Sequence, residues 1–304
     1  MGAMTQVELP GDVLAAMASR GEDWSSWVDG LPGTVREVLA EWELALDGRV
    51  RSGMCSVVVP VRTLSGRPAV LKVGFPDRES EHEPLALQRW HGRGAVLLLR
   101  ADPRRRAMLL ERLHDETLTS VWDLEACEVV ADLYARLHVP APPQPRRLTG
   151  ELQRWQRQLA ALPRNAPVPR RLVEQSLAIV RGFSGDAGTD GTLVHGDLHY
   201  DNVLAADREP WLVIDPKPLS GDPHFEPAPM LWNRWDEVVG SGNARDAVRR
   251  RFHTIVDAAE LDEDRARDWA VLRVVLNAVW ELEEAEPDLD AVTRSITVAK
   301  AVQE

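Results

Sequence analysis

Within the run LVHGDLHYDNVL, residues 193–204, His195, Asp197, His199 and Asn202 stand among apolar residues, and Asp215 ends the run WLVID, residues 211–215. Residues of these types serve a metal centre, a phosphoryl-transfer loop, or a turn whose side chains cap its own backbone. His195, Asp197 and His199 alternate, so on a strand they would share one side, as ligands of zinc or manganese do. No distant His or Cys cluster joins them, and Cys55 and Cys127 are the only cysteines. Gly196 and Leu198 suit a tight turn as well as a strand.

Asn202 and Asp215 shift the weight. The order His, Asp, Asn, Asp, with Asn202 five positions after Asp197, is the order and spacing of the protein-kinase catalytic loop and its metal-binding aspartate. A hydroxyl attacking a γ-phosphate needs a carboxylate to orient it and accept its proton, a task for Asp197. Magnesium on the phosphates prefers hard oxygen ligands, which the Asn202 amide and the Asp215 carboxylate supply. A kinase-type lysine is then expected upstream. Only Lys72, Lys217 and Lys300 occur among 36 basic residues, and Lys72 lies between apolar residues in AVLKVG. Glu83, which precedes the apolar PLAL, is its expected ion-pair partner rather than Glu79 or Glu81.

Together, LVHGDLHYDNVL, WLVIDPKPLSGDP, AVLKVG, HEPLAL and MLLERL resemble the aminoglycoside phosphotransferase family, most closely its streptomycin 6-phosphotransferase and hydroxyurea phosphotransferase branch. The resemblance covers nearly the whole chain. It implies ATP and Mg2+ as cofactors, Asp197 as catalytic base, Asn202 and Asp215 as metal ligands, and Lys72 with Glu83 as the phosphate-positioning pair. It makes His195 a support of the loop, LLERL a hinge where backbone groups of Glu111 and Leu113 meet the adenine, and VRSGMCS the phosphate-covering loop. With Gly53 alone beside Ser52, that loop departs from a glycine-rich pattern. Pro216 and Lys217 stand where protein kinases have Phe and Gly, so no phosphorylation-controlled activation segment is expected.

Elements must hold these residues in place. VREVLAEWELAL carries apolar residues at Val35, Val38, Leu39, Trp42 and Leu46, close to the helical period, and the first fifty residues read as helical. Two antiparallel strands follow on either side of Ser65-Gly66-Arg67-Pro68, then a helix from about Arg78 to His91 and two strands in AVLLLRAD and RAMLLERL. Residues 1–113 are thus expected to form an N-terminal helical segment with an ATP-binding sheet lobe and hinge. Residues 114–304 are expected to form a mainly helical lobe with the catalytic loop and substrate site. Helical patterns cover residues 120–138, 149–162 and 169–183, VPAPPQPRRL reads as a loop, and NVLAA with WLVID as a hairpin. Two long helices, 243–259 and 262–286, are expected to complete an α+β, bilobal, protein-kinase-like fold.

For the acceptor, Asp222, Glu226 and Asn233 after Asp215, and Asn277, Trp280 and Glu281 on the late helix, form the expected lining. Carboxylates and a flat aromatic suit an amine or guanidinium. The formal charge of −12 is uneven: 15 acidic and 15 basic residues precede His114, and 33 and 21 follow. That split would steer a polyanion to the first part and a cation to the second, and it argues against a nucleic-acid partner. No run is apolar enough for a membrane helix, no export signal is expected, and two cysteines fit a reducing cytoplasm. The expected protein is a cytoplasmic, monomeric enzyme that phosphorylates a hydroxyl of a small polar, cationic molecule, for which the resemblance implies an aminoglycoside such as a streptomycin-like one and, with it, antibiotic resistance. Its alternatives are a kinase of an amino sugar or other metabolite, a hydroxyurea phosphotransferase, and a nucleotide-binding pseudokinase.

Overall fold

The computed structural model describes residues 11–304. The first ten residues, on which part of the helical and export-signal readings falls, lie outside the described residues. The chain divides into two compact units, Met1–Leu113 and His114–Glu304.

The first unit opens with α1 (Gly11–Ala18) and α2 (Glu22–Glu41), followed by β1 (Ala45–Leu46), β2 (Arg51–Ser52), β3 (Ser56–Arg62), β4 (Pro68–Gly74), α3 (Glu83–Trp90), β5 (Leu98–Asp102) and β6 (Ala107–Glu111). The strands form an antiparallel sheet in the order β1-β3-β4-β6-β5, with β2 also on β3. Alternation decides its faces. Val57, Val59 and Val61 of β3 and Ala69, Leu71 and Val73 of β4 are buried against Leu31, Val35 and Val38 of α2 and Trp42 just after it. Lys72, between Leu71 and Val73, is thereby turned to the other face.

Two boundaries differ from the sequence expectation. The helical pattern of VREVLAEWELAL breaks at Glu43, whose φ is +53°, and Leu46 pairs with Val61 in the sheet instead of continuing the helix. Helix α3 starts at Glu83, not near Arg78. The Asp77 carboxylate takes the Glu79 and Ser80 amides into a turn, and Pro84 then occupies the first helical turn, where its missing N–H is harmless.

The second unit comprises α4 (Asp123–Leu137), β7 (Val139–Pro140), β8 (Arg146–Arg147), α5 (Leu148–Ala161), α6 (Arg170–Ser184), β9 (Thr192–Val194), β10 (Val203–Ala205), β11 (Trp211–Val213), β12 (Leu219–Gly221), α7 (Ala228–Trp232), α8 (Trp235–Gly240), α9 (Ala244–Ala258), α10 (Glu263–Glu283) and α11 (Leu289–Ala301). The segment expected as a proline loop contributes β7 and β8 to a small sheet of order β7-β9-β12-β8. The two helices expected at the end are joined by a third, α11, which Asp288 caps by accepting the Asp290 amide. Trp269 of α10, Phe252 of α9 and Phe183 of α6 share the core of this unit with Val194 and Leu219, the strand ends that carry the loop at His195. Among the described residues no helix is long and apolar enough to cross a membrane.

Candidate active site

In the first unit, β4 and α3 bring Lys72 and Glu83 together. Lys72 Nζ donates to Glu83 Oε1 at 2.6 Å and Oε2 at 2.8 Å, with both residues buried. Burying one of these charges without the other would be costly. Glu83 also sits in the first turn of α3, where the helix dipole favours a carboxylate. Ser52 pairs with Val57, and the Gly53 amide donates to the Ser56 carbonyl at 2.9 Å, so residues 52–56 form a tight hairpin. At the end of β6, the Glu111 side chain accepts the Leu97 amide at 2.8 Å while its own amide donates to the Leu97 carbonyl. Two residues on, Leu113 is half-buried at the end of the unit.

In the second unit, β9 delivers the chain into the loop at His195. Its ring bridges two parts of the loop: Nε2 meets the Ile214 carbonyl at 2.9 Å, and Nδ1 accepts the Asp197 amide at 3.3 Å. Those partners define a neutral ring protonated on Nε2, and burial, ahead of every other influence, holds its pKa below the ordinary 6.5. With both nitrogens engaged, His195 has none left for a metal. Among the described residues no group of three His, Cys, Asp or Glu could hold one, so the reading of His195, Asp197 and His199 as a ligand triad falls.

Gly196 is at φ +84°, and a Cβ there would stand 2.3 Å from the Lys217 carbonyl oxygen. Only glycine fits both constraints. Asp197 is fixed through its backbone: its amide by His195, and its carbonyl by the Asn202 Nδ2 at 2.8 Å. Its half-buried carboxylate has no hydrogen-bond partner among the described residues.

The hairpin of β10 and β11 brings Asn202 and Asp215 to the same end of its two strands. Val203 pairs with Val213, and the Ile214 amide donates to the Asn202 carbonyl at 2.9 Å, which leaves Asp215 next in line. Asp215 adopts φ +56°, a left-handed turn that aspartate tolerates better than most residues. The chain then returns: the Lys217 amide donates to the His195 carbonyl at 2.8 Å, and Lys217 Nζ lies 3.4 Å from Asp215 Oδ2.

The expected acceptor lining separates into two sets. Glu226 is fully buried and accepts the His195 amide at 3.0 Å and the Gly196 amide at 2.7 Å. Burial raises its pKa, but His138, His195 and the Gly196 amide more than offset that and hold it below the ordinary carboxylate value. Asp222 is buried as well, and accepts Trp269 Nε1 at 2.7 Å, His224 and Arg265. Neither carboxylate has surface left for an acceptor, so both are corrected from substrate contacts to internal supports. Asn233 is half-buried, with its amide donating to the Pro229 carbonyl. On α10, Trp280 donates to Gln158, Glu281 accepts the Asp288 amide, and Asn277 is half-buried.

Further supports of the loop were not legible as such. Arg273 of α10 donates to the Gly196 carbonyl at 3.0 Å and lies over the Phe225 ring at 4.0 Å. Tyr200 donates to Asp123 at 2.7 Å, and the fully buried Arg251 donates to the other Asp123 oxygen at 2.8 Å and to the Asn233 carbonyl at 2.7 Å. A signal for Arg251 did exist, because it lies on the apolar face of α9 with Val248, Phe252 and Ile255. Cys127, near Tyr200, is pushed up to about 12 by burial first and by Asp123 next, which makes it an inert thiol.

Residues 41–285 match the aminoglycoside/hydroxyurea antibiotic resistance kinase family. A streptomycin 6-kinase of Streptomyces glaucescens is 41% identical over 311 residues, covering 100% of this chain and 99% of the relative. A hydroxyurea phosphotransferase of Kitasatospora aureofaciens is 39% identical over 306 residues, covering 97% and 86%. Among solved structures, a thermostable mutant of an aminoglycoside phosphotransferase in ternary complex with ADP and hygromycin B superposes with a TM-score of 0.57 at 15% identity, covering 88% of this chain and 97% of that one. These matches give the chain a protein-kinase-like fold and the class of small-molecule O-phosphotransferase: it belongs to the aminoglycoside/hydroxyurea antibiotic resistance kinase family.

Proposed function

We propose that the chain transfers the γ-phosphate of ATP, with Mg2+, to a hydroxyl of a small cationic molecule, an aminoglycoside of the streptomycin type. One observation carries this reading. Asp197 is held by its backbone on both sides while its carboxylate is kept out of hydrogen bonds, on a loop that also carries Asn202 at the end of the hairpin leading to Asp215. A carboxylate so placed orients a hydroxyl and takes its proton as the oxygen bonds to phosphorus and the bond to ADP breaks.

Asn202 spends its Nδ2 on the Asp197 carbonyl, which directs its oxygen elsewhere, and with the Asp215 carboxylate it offers the hard oxygen donors that Mg2+ takes. When bound, the metal neutralises phosphate charge. Lys72, aligned by Glu83, is the phosphate contact of the first unit, with Ser52 and Gly53 over the phosphates and the backbone of Glu111 and Leu113 against the adenine. On the acceptor side, Asn233, Asn277, Trp280 and Glu281 remain the proposed contacts, and the streptomycin 6-kinases matched over 99–100% of this chain support a streptomycin-type acceptor, with hydroxyurea and an amino sugar as the alternatives. The enzyme is proposed to work as a cytoplasmic monomer.

An ADP-release screen across cationic aminoglycosides, amino sugars and hydroxyurea, with the phosphate then located on the product, tests the proposal. Turnover on a streptomycin-type hydroxyl is expected. Turnover on hydroxyurea alone would move the acceptor to that alternative, and nucleotide binding without turnover on any acceptor would make the chain a pseudokinase.

A further inference from the structure

The hairpin at residues 52–56 has one glycine, Gly53, and the tip residue Met54 is 77% exposed. Backbone closure alone gives such a tip little to hold its position: the hairpin's own bond is Gly53 N–H to Ser56 O. Two contacts from outside the hairpin supply what it lacks. Arg20, in the turn between α1 and α2, donates from its guanidinium to the Met54 carbonyl at 2.7 Å. The next carbonyl, that of Cys55, accepts the Phe75 amide at 2.8 Å. Consecutive carbonyls at the tip are thus fastened to two different segments.

Those segments are themselves joined. The Trp24 ring of α2 stacks on the Phe75 ring at 3.7 Å and 3°, Trp27 meets Phe75 edge-on at 5.8 Å, and the Arg20 guanidinium lies over Trp24 at 4.8 Å. Arg20, Trp24 and Phe75 therefore close a ring of contacts around Met54 and Cys55. The helices otherwise bury their apolar stripe against the far face of the sheet, and that packing asks nothing of Arg20, which is exposed. A salt-screened or solvent-competed contact at an exposed site survives best when several are coupled, as these are.

We infer that the α1–α2 segment is a strap for the phosphate-covering hairpin, with Arg20 and Trp24 as positioning residues that set nucleotide affinity without touching nucleotide. The inference rests on the proposed role of residues 52–56. It gives a hairpin with one glycine its outside anchors, Arg20 and the Trp24–Phe75 stack.

The test compares wild type with Arg20→Ala, Arg20→Lys, Trp24→Leu and Trp24→Phe by steady-state kinetics and by amide exchange at Gly53–Ser56. Removal of one hydrogen bond and one cation–π contact is expected to raise the KM for ATP by about 3- to 10-fold in Arg20→Ala, with kcat and the acceptor KM within about twofold. Exchange at Gly53–Ser56 is expected to accelerate while β3 and β4 amides keep wild-type rates, with partial rescue by Arg20→Lys and Trp24→Phe. Trp24→Leu, which also removes apolar packing, is read only if its melting temperature stays near wild type, and Arg20→Ala carries the test otherwise. An unchanged KM for ATP in Arg20→Ala, or a rise that is equal for ATP and acceptor, overturns the strap. If wild type itself binds no nucleotide by calorimetry, the kinase reading fails first, and the strap with it.

Discussion

Two loops of this molecule solve one problem, holding a few irregular residues still, by opposite means. The hairpin at residues 52–56 is fastened from outside by an exposed guanidinium and a ring stack. The loop at residues 195–202 is fastened from inside: Glu226 takes two of its amides, Arg273 one carbonyl, Asn202 another, and His195 bridges to Ile214. The difference lies in the dielectric surroundings. A buried acceptor that loses its donors pays full desolvation, so internal supports hold rigidly, whereas an exposed contact competes with water and yields. The rigid loop is the one proposed to aim a proton acceptor, and the yielding one is proposed only to cover a ligand that has to enter and leave.

The widest gap between the two is expected at Asp197. Asp197→Asn keeps the backbone bonds that place the residue and removes the base, so kcat should fall by about 10²- to 10⁴-fold while nucleotide affinity stays near wild type. Retained activity would remove Asp197 from the chemistry and with it the reason for so rigid a loop.

Gly196→Ala comes next. A methyl group 2.3 Å from the Lys217 carbonyl, at φ +84°, has to displace backbone that the loop shares with the Asp215 turn. A loss of about 3 kcal/mol in urea unfolding, with a fall in kcat, is expected. By contrast, Gly53→Ala in the other hairpin meets the Ser56 hydroxyl at 3.2 Å, a flexible neighbour, and is expected to cost under about 1 kcal/mol. Equal losses at the two glycines would erase the contrast between inner and outer fastening.

Much of the first unit was legible because its signals are local. Strands β3 and β4 announce themselves by alternation around one turn, and Lys72 and Glu83 lie 11 residues apart, close enough for a strand and the next helix to bring them together. The order of Asp197, Asn202 and Asp215 is similarly short-range, since one hairpin joins them. What sequence could not supply is the set of partners at long range. Glu226 reaches the loop across 30 residues and Arg251 reaches Asp123 across 128, and a buried carboxylate on two amides looks, as a sequence, like any acidic residue near a substrate. Asp222 and Glu226 therefore read in the sequence as acceptor lining, although both are buried. Helix α11 follows Pro287, which interrupts the helical pattern, and it is Asp288 just after that proline that caps the new helix.

Glu226→Gln then separates burial from charge. The amide oxygen can accept one of the His195 and Gly196 amides, but the amide nitrogen confronts the other donor, which leaves a buried N–H unpaired. A stability loss of about 1–3 kcal/mol is expected, read as a drop of roughly 5 °C in melting temperature, together with lower kcat and an unchanged KM for ATP. A pure KM effect on the acceptor would instead restore Glu226 as a substrate contact.

The smallest effect is graded with pH, and only the inner loop should show it. His195 accepts the Asp197 amide through Nδ1, so its neutral form is the one that fits, and its pKa lies below the ordinary 6.5 because the ring is buried. Below pH 6.5 the unfolded chain therefore takes up a proton at this position that the folded chain refuses. Stability contributed by neutral His195 is complete above the unfolded value and is lost progressively as pH falls from about 6.5 toward the lower folded value. In His195→Asn that portion of the slope should vanish, so the wild-type and variant melting curves should converge as the buffer is taken from pH 7 toward pH 5. Parallel curves across that window would mean that the imidazole keeps its proton in the folded loop, and the Asp197 amide would then need another acceptor.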